Sequence, residues 1–154
     1  MSDMVGGCQC GALRYAITGK PLMVYACHCT QCQTQSGSAF GLSLGVARAD
    51  FAVTKGTPAT WSRTTERGTV TICYFCKDCG TRIVHERQGG ARVMVRGGTL
   101  DDTSCLTVMG HIWVSSAQPW LRPLLTGPHV YEEQPPDVAI FGAISPWAAS
   151  PAAG

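Results

Sequence analysis

Seven of the nine cysteines in this 154-residue chain fall into three knots, Cys8-x-Cys10, Cys27-x-Cys29-x-x-Cys32 and Cys76-x-x-Cys79. Seven is the number that one closed and one open metal site require. A structural zinc takes four thiolates in a tetrahedron, and a catalytic zinc commonly takes three protein ligands and leaves its fourth position to water or substrate. The count favours a zinc enzyme over a purely structural zinc module.

The setting decides between metal ligation and disulfides. Residues 1–7 lack a basic segment followed by an apolar run, and no stretch of 18 apolar residues occurs, so neither a secretory signal nor a membrane span is expected. A cytoplasmic location follows, where closely spaced cysteines stay reduced and act as metal ligands or redox centres; the odd total also speaks against a disulfide framework. A lone C-x-x-C is weak evidence, but three knots together are strong.

Cys27, Cys29 and Cys32 lie within six residues and can cap one ion, while the two remaining pairs can clamp a second between distant parts of the chain. The second site then acts as a staple closing a long loop. Spacing alone leaves Cys73, three residues before Cys76, as a competitor for the staple. Its place in the run Val70-Thr71-Ile72-Cys73-Tyr74-Phe75 reads as strand, and Cys105, with no cysteine neighbour, reads as a buried small hydrophobe.

The length suits one domain. Only 14% of residues are charged and the net charge is +2, which excludes a basic surface built for nucleic acid. The densest basic stretch, residues 82–96, reads as an ordinary solvated strand pair. Gly and Pro punctuate short apolar runs, and no 3.6-residue period persists. Segments 12–17, 40–46, 69–74, 92–95 and 111–114 are rich in β-branched and aromatic residues, which predicts an all-β class of antiparallel strands. A helical turn is expected at 30–36, ended by Gly37. Residues 1–136 form the expected domain, and 137–154 an Ala/Pro-rich tail with Phe141 and Trp147, either mobile or strapped onto the body or a second subunit.

The strings Gly6-Gly7-Cys8-Gln9-Cys10-Gly11-Ala12-Leu13-Arg14-Tyr15 and Cys27-His28-Cys29-Thr30-Gln31-Cys32, with Ser36-Gly37-Ser38-Ala39-Phe40 after the second, form an ordered set. Phe75-Cys76-Lys77-Asp78-Cys79-Gly80-Thr81, Gly98-Thr99-Leu100-Asp101-Asp102, His111-Ile112-Trp113-Val114 and Pro119-Trp120 continue it. Together they resemble the glutathione-dependent formaldehyde-activating enzyme family, which includes centromere protein V, over about residues 5–135. The resemblance implies a β-tent fold with two zinc ions per chain, a structural one on Cys8, Cys10, Cys76 and Cys79 and a catalytic one on Cys27, Cys29 and Cys32. It also implies carbon–sulfur lyase activity of the S-hydroxymethylglutathione synthase kind. Where many members carry a basic residue after the third cysteine of the middle knot, this chain has Gln33 and Thr34, which removes one charge contact to a substrate carboxylate.

The ligand set points the same way. Three thiolates give a zinc site a net charge of minus one, too weak a Lewis acid to favour hydrolysis by metal-bound water but well suited to a soft substrate thiolate. The expected partner is a small thiol or thiol–aldehyde adduct, glutathione among the candidates, with no nucleic acid, no membrane, and a homodimer as an option. Proton transfer then needs a nearby acid–base group. His111, opening an apolar strand, is the candidate catalytic histidine, against a sheet-edge role; His28 is either a supporting group or packing, and His85 and His129 are surface residues. Ser36 and Ser38 read as turn formers, and Trp113 and Trp120 as core rather than pocket walls. A non-catalytic zinc-stabilised binding module and a methionine sulfoxide reductase-like enzyme are the alternatives. The reductase would use two C-x-x-C pairs and a free catalytic cysteine.

Overall fold

The structure, a computed structural model, describes residues 4–65, 68–137 and 140–146. In chain order its strands are β1 (Met4–Gly7), β2 (Arg14–Ile17), β3 (Met23–Cys27), β4 (Gly41–Ala47), β5 (Phe51–Lys55), β6 (Ala59–Thr64), β7 (Val70–Phe75), β8 (Arg82–Arg87), β9 (Arg92–Arg96) and β10 (Gly110–Ile112). Helix α1 (Thr30–Ser36) separates β3 from β4, and the single-turn α2 (Ile140–Ala143) follows β10. The described chain is mostly sheet, as expected of an all-β protein. No described helix is long and apolar enough to cross a membrane.

Contacts divide the chain into two compact units, each assembled from two separate stretches: Met1–Lys20 with Leu44–Leu106, and Pro21–Ser43 with Thr107–Gly154. The first unit holds a three-stranded sheet in the order β1-β2-β5 and an antiparallel meander β6-β7-β8-β9. Tyr15 of β2 is buried against Phe51 of β5, with ring centroids 5.3 Å apart, and its hydroxyl meets Thr99 Oγ1 at 2.9 Å. A phenol stays buried when its polar tip is satisfied in this way. The basic stretch at 82–96 is the β8–β9 pair, but it is not simply solvated: Ile83, Val84, Val93 and Val95 are core residues and Arg96 is buried. Cys73 is a buried strand residue of β7.

In the second unit β3, buried at every position, pairs with β10 in parallel, His111 facing Ala26 and Ile112 facing Cys27. The antiparallel expectation fails here because no hairpin joins these strands, and a long connection leaves the chain free to return in the same direction. The 111–114 run ends its strand early. Trp113 takes a left-handed backbone (φ 59°), rare for a bulky residue, and a 3-10 turn over Val114–Ser116 follows.

Phe141 is the anchor of the second unit's interior. It is fully buried, stacks on Tyr25 at 5.6 Å and meets His129 and Tyr131 edge-on at 6.4 and 6.0 Å. This part of the 137–154 tail is therefore packed; Trp147 lies outside the described residues. The ring sits so close to β10 that a Cβ on Gly110 would be 2.3 Å from Phe141 Cε1 and 2.8 Å from His129 O. Phe141→Ala should cost about 3–5 kcal/mol, as large-to-small changes at buried aromatics do. Gly110→Ala should destabilise the wild type and cost less in the Phe141→Ala background, where the ring atoms that crowd the methyl group are gone and the His129 carbonyl remains. Urea unfolding of the two single variants and the double variant checks both statements.

Candidate metal centres

Two knuckle-like turns build the first centre. In one, Gly11 N–H donates to Cys8 O and Cys8 N–H to Leu13 O, both at 3.0 Å; in the other, Gly80 N–H donates to Cys76 O and Cys76 N–H to Thr81 O, both at 2.9 Å. Gly11 and Gly80 take φ values of 75° and 74°, where a side chain would be strained, so the glycine after each cysteine pair is what lets the turn fold back. The sulfurs of Cys8, Cys10, Cys76 and Cys79 lie within 4.8 Å of one another. Cys8 Sγ is 3.5 Å from Cys10 Sγ, and Cys10 Sγ is 3.7 Å from Cys76 Sγ. Four sulfurs on a tetrahedron about 2.3 Å from a shared ion sit about 3.8 Å apart, so this spacing fits a zinc-sized tetrahedron.

The second centre uses a strand end and a helix start. Cys27 closes β3, and Cys29 is the N-cap of α1, where its Sγ accepts from Cys32 N–H at 3.4 Å. Cys32 follows within the first turn, which puts its sulfur on the same side as its cap. The helix ends where the sequence predicts, Gly37 taking φ 59° as its C-cap. The sulfurs of Cys27, Cys29 and Cys32 again lie within 4.8 Å of one another, Cys27 to Cys29 at 3.5 Å. Among the described residues no fourth Cys, His, Asp or Glu joins them. Gln35 Nε2 donates to Cys32 Sγ at 3.4 Å, the kind of bond that supports a thiolate.

Acidity reflects the crowding. The Thr81 hydroxyl, with backbone N–H groups, holds Cys79 down at about 5. Cys10, although the Ala12 N–H favours its thiolate, is pushed up to about 12 by the neighbouring Cys8 and Cys79 sulfurs. Cys27 is driven far above the ordinary thiol range by Cys29 and Cys32, and then by burial. Thiols this close cannot all ionise unaided, and a divalent cation would supply the missing charge.

Beside the second centre, His28 is completely buried, and its Nε2 lies 3.0 Å from Nδ1 of half-buried His111. Burial first and the proximity of His111 second lower His28 to about 4, and burial lowers His111 as well. At neutral pH two neutral rings therefore share one hydrogen bond. Phe40 packs on His28 with centroids 5.4 Å apart. The pairing joins residues 83 positions apart and follows from the β3–β10 register, in which His28 N–H donates to Ile112 O at 2.9 Å.

Several expectations need correction. Cys105 is exposed in a turn rather than buried, its Sγ 3.9 Å from Asp102 O. His85, opposite Cys73 in the β7–β8 pair, and His129, against Phe141, are half-buried rather than surface residues. Trp120 is 63% exposed and no part of a core. Ser36 does serve its turn, its hydroxyl donating to Cys32 O at 2.7 Å and Phe40 O at 3.0 Å. Gln33 turns out to be structurally engaged: its Nε2 donates to His28 O at 2.7 Å and to Ser116 O at 2.8 Å, while Gln118 Nε2 donates to its Oε1 at 3.4 Å. No local pattern announces partners that arrive from 83 and 85 positions away.

A family model described as glutathione-dependent formaldehyde-activating enzyme matches residues 3–116. Comparison with curated proteins gives no match. Among solved structures, a Rhodobacter sphaeroides protein aligns over 83% of this chain and 99% of its own, with a TM-score of 0.53 and 19% sequence identity, a likeness of fold alone.

The two centres should respond differently to ligand loss. Cys76→Ala opens a four-sulfur site whose binding energy is folding energy, and should cost several kcal/mol, on the order of what a structural metal contributes. Cys32→Ala should lose one ion and keep the fold. Native mass spectrometry is expected to find two ions on the wild type, and both should dissociate as pH falls, because protons compete for the thiolates.

Proposed function

Because the chain belongs to the glutathione-dependent formaldehyde-activating enzyme family, we propose that it is a zinc-dependent carbon–sulfur lyase that adds a thiol to an aldehyde and cleaves the adduct again. The observation that carries this reading is the three-sulfur set of Cys27, Cys29 and Cys32, one ligand short of a closed tetrahedron. The reading takes Cys8, Cys10, Cys76 and Cys79 as a structural zinc site, residues 1–136 as a β-tent catalytic domain and the cytoplasm as its setting.

In the forward direction the thiol loses its proton, its sulfur forms a bond to the carbonyl carbon, and the carbonyl oxygen takes up a proton to give a hydroxyalkyl thioether. The reverse step returns the electron pair to sulfur. A zinc ion held by Cys27, Cys29 and Cys32 supplies, when bound, a soft Lewis-acid position that favours a thiolate over hydroxide. Proton movement is assigned to His111, and support for that role is its half-buried neutral ring fixed by the 3.0 Å bond to His28. His28, sealed from solvent, sets the orientation of that ring rather than touching substrate.

In the cobalt-substituted protein, a small thiol should increase the sulfur-to-cobalt charge-transfer band and release a proton. A spectrum unchanged by thiol while adduct turnover continues overturns thiolate ligation. His111→Gln should lower kcat by roughly 10²- to 10⁴-fold, the usual range for a lost acid–base group. The exposure of Cys105 revives one alternative, a reductase built on a free thiol. Cys105→Ser is expected to retain adduct turnover, and its inactivation would favour that alternative.

A further inference from the structure

An open cleft of about 620 Å³ begins one residue beyond Cys32, walled by residues 33, 34 and 37–40 on one side and by Gln118 and Trp120 on the other. Its volume suits a ligand of tens of atoms and does not by itself discriminate among thiols. Its charge does. Among the described residues, none that lines it carries an ionisable acid or base.

The lining is also held in place. Trp120 Nε1 donates to Gln118 Oε1 at 2.7 Å, Gln118 Nε2 to Gln33 Oε1 at 3.4 Å, and Gln33 Nε2 to His28 O at 2.7 Å. This relay of neutral groups runs from the cleft to the residue between Cys27 and Cys29. It leaves Trp120, 63% exposed, as an indole steadied by its ring nitrogen with its apolar body toward solvent. An exposed indole steadied at one edge is a stacking platform for a flat apolar group, and Phe40 adds a second aromatic to the same cleft.

We infer that this cleft selects thiols carrying an uncharged, flat apolar body, with Trp120 as the platform and Gln33 as the residue that keeps the site neutral. The inference rests on the thiol–aldehyde reading above and names its substrate class. Glutathione brings two carboxylates and one ammonium, a net charge of about −1 at neutral pH. Among the described residues that line this cleft, those carboxylates find no cation to offset their lost hydration. A benzyl group loses nothing polar on entering and gains contact with the indole.

The test compares benzyl mercaptan with glutathione on the metal-loaded protein, by isothermal titration calorimetry and, separately, by turnover with formaldehyde. Benzyl mercaptan should bind at least tenfold more tightly. Trp120→Ala should weaken its binding by roughly tenfold, the scale of one lost aromatic contact, and Trp120→Phe should restore most of it. Gln33→Arg should strengthen glutathione binding and leave the preference for benzyl mercaptan reduced or reversed. Glutathione binding as tightly as benzyl mercaptan, or Trp120→Ala leaving both affinities unchanged, overturns the assignment. Absence of turnover with both thiols, while the binding preference holds, instead overturns the lyase reading and leaves the cleft's selectivity standing.

Discussion

The crowding of four sulfurs from two turns is the constraint on which the first unit depends. Cys10 and Cys76 are 66 positions apart in the chain, yet their sulfurs lie 3.7 Å apart. Closing such a loop costs chain entropy, and small unconnected sheets bury too little apolar surface to offset much of it. A multiply charged cation shared by four thiolates is the kind of interaction that does offset it, since the sulfurs repel one another without the ion and bind tightly with it. Each turn contributes through its own backbone bonds and a left-handed glycine, so the ligands are set within a turn before the two turns meet.

The second unit solves a different problem, namely how to hold three sulfurs while keeping one side accessible. Cys27 is fixed by a fully buried strand, whereas Cys29 and Cys32 sit half-exposed at the start of a seven-residue helix. Among the described residues no further Cys, His, Asp or Glu joins these three sulfurs, which leaves one face of the set without a side-chain ligand of that kind. Parallel pairing with β10 then brings His111 to the buried edge of this arrangement, and Phe141, wedged over Gly110, fixes β10 itself.

Local chemistry was the legible part. The knots, the helix at 30–36 with its Gly37 stop and the strand character of Cys73 all follow from spacing and propensity. Each depends on residues within a few positions of one another. The strands β1, β3, β5 and β6 escape such a reading for the same reason in reverse: four to six residues with mixed polarity carry too little period to separate from loop, and burial on both faces, as in β3, erases alternation altogether.

By itself the sequence determined which atoms can ligate and roughly how many ions they can hold, because cysteine pairs one or two residues apart converge on a common point whatever surrounds them. Only the tertiary structure decided what stands beside the open centre. The His28–His111 bond, the Gln33–Gln118–Trp120 relay and the exposure of Trp120 and Cys105 all arise from segments that meet, or fail to meet, across tens of residues. The physical reason is that ligand geometry is a short-range property of the backbone, whereas the burial and charge of a site's surroundings are set by which distant segments meet, as the β3–β10 register does in bringing His111 to His28.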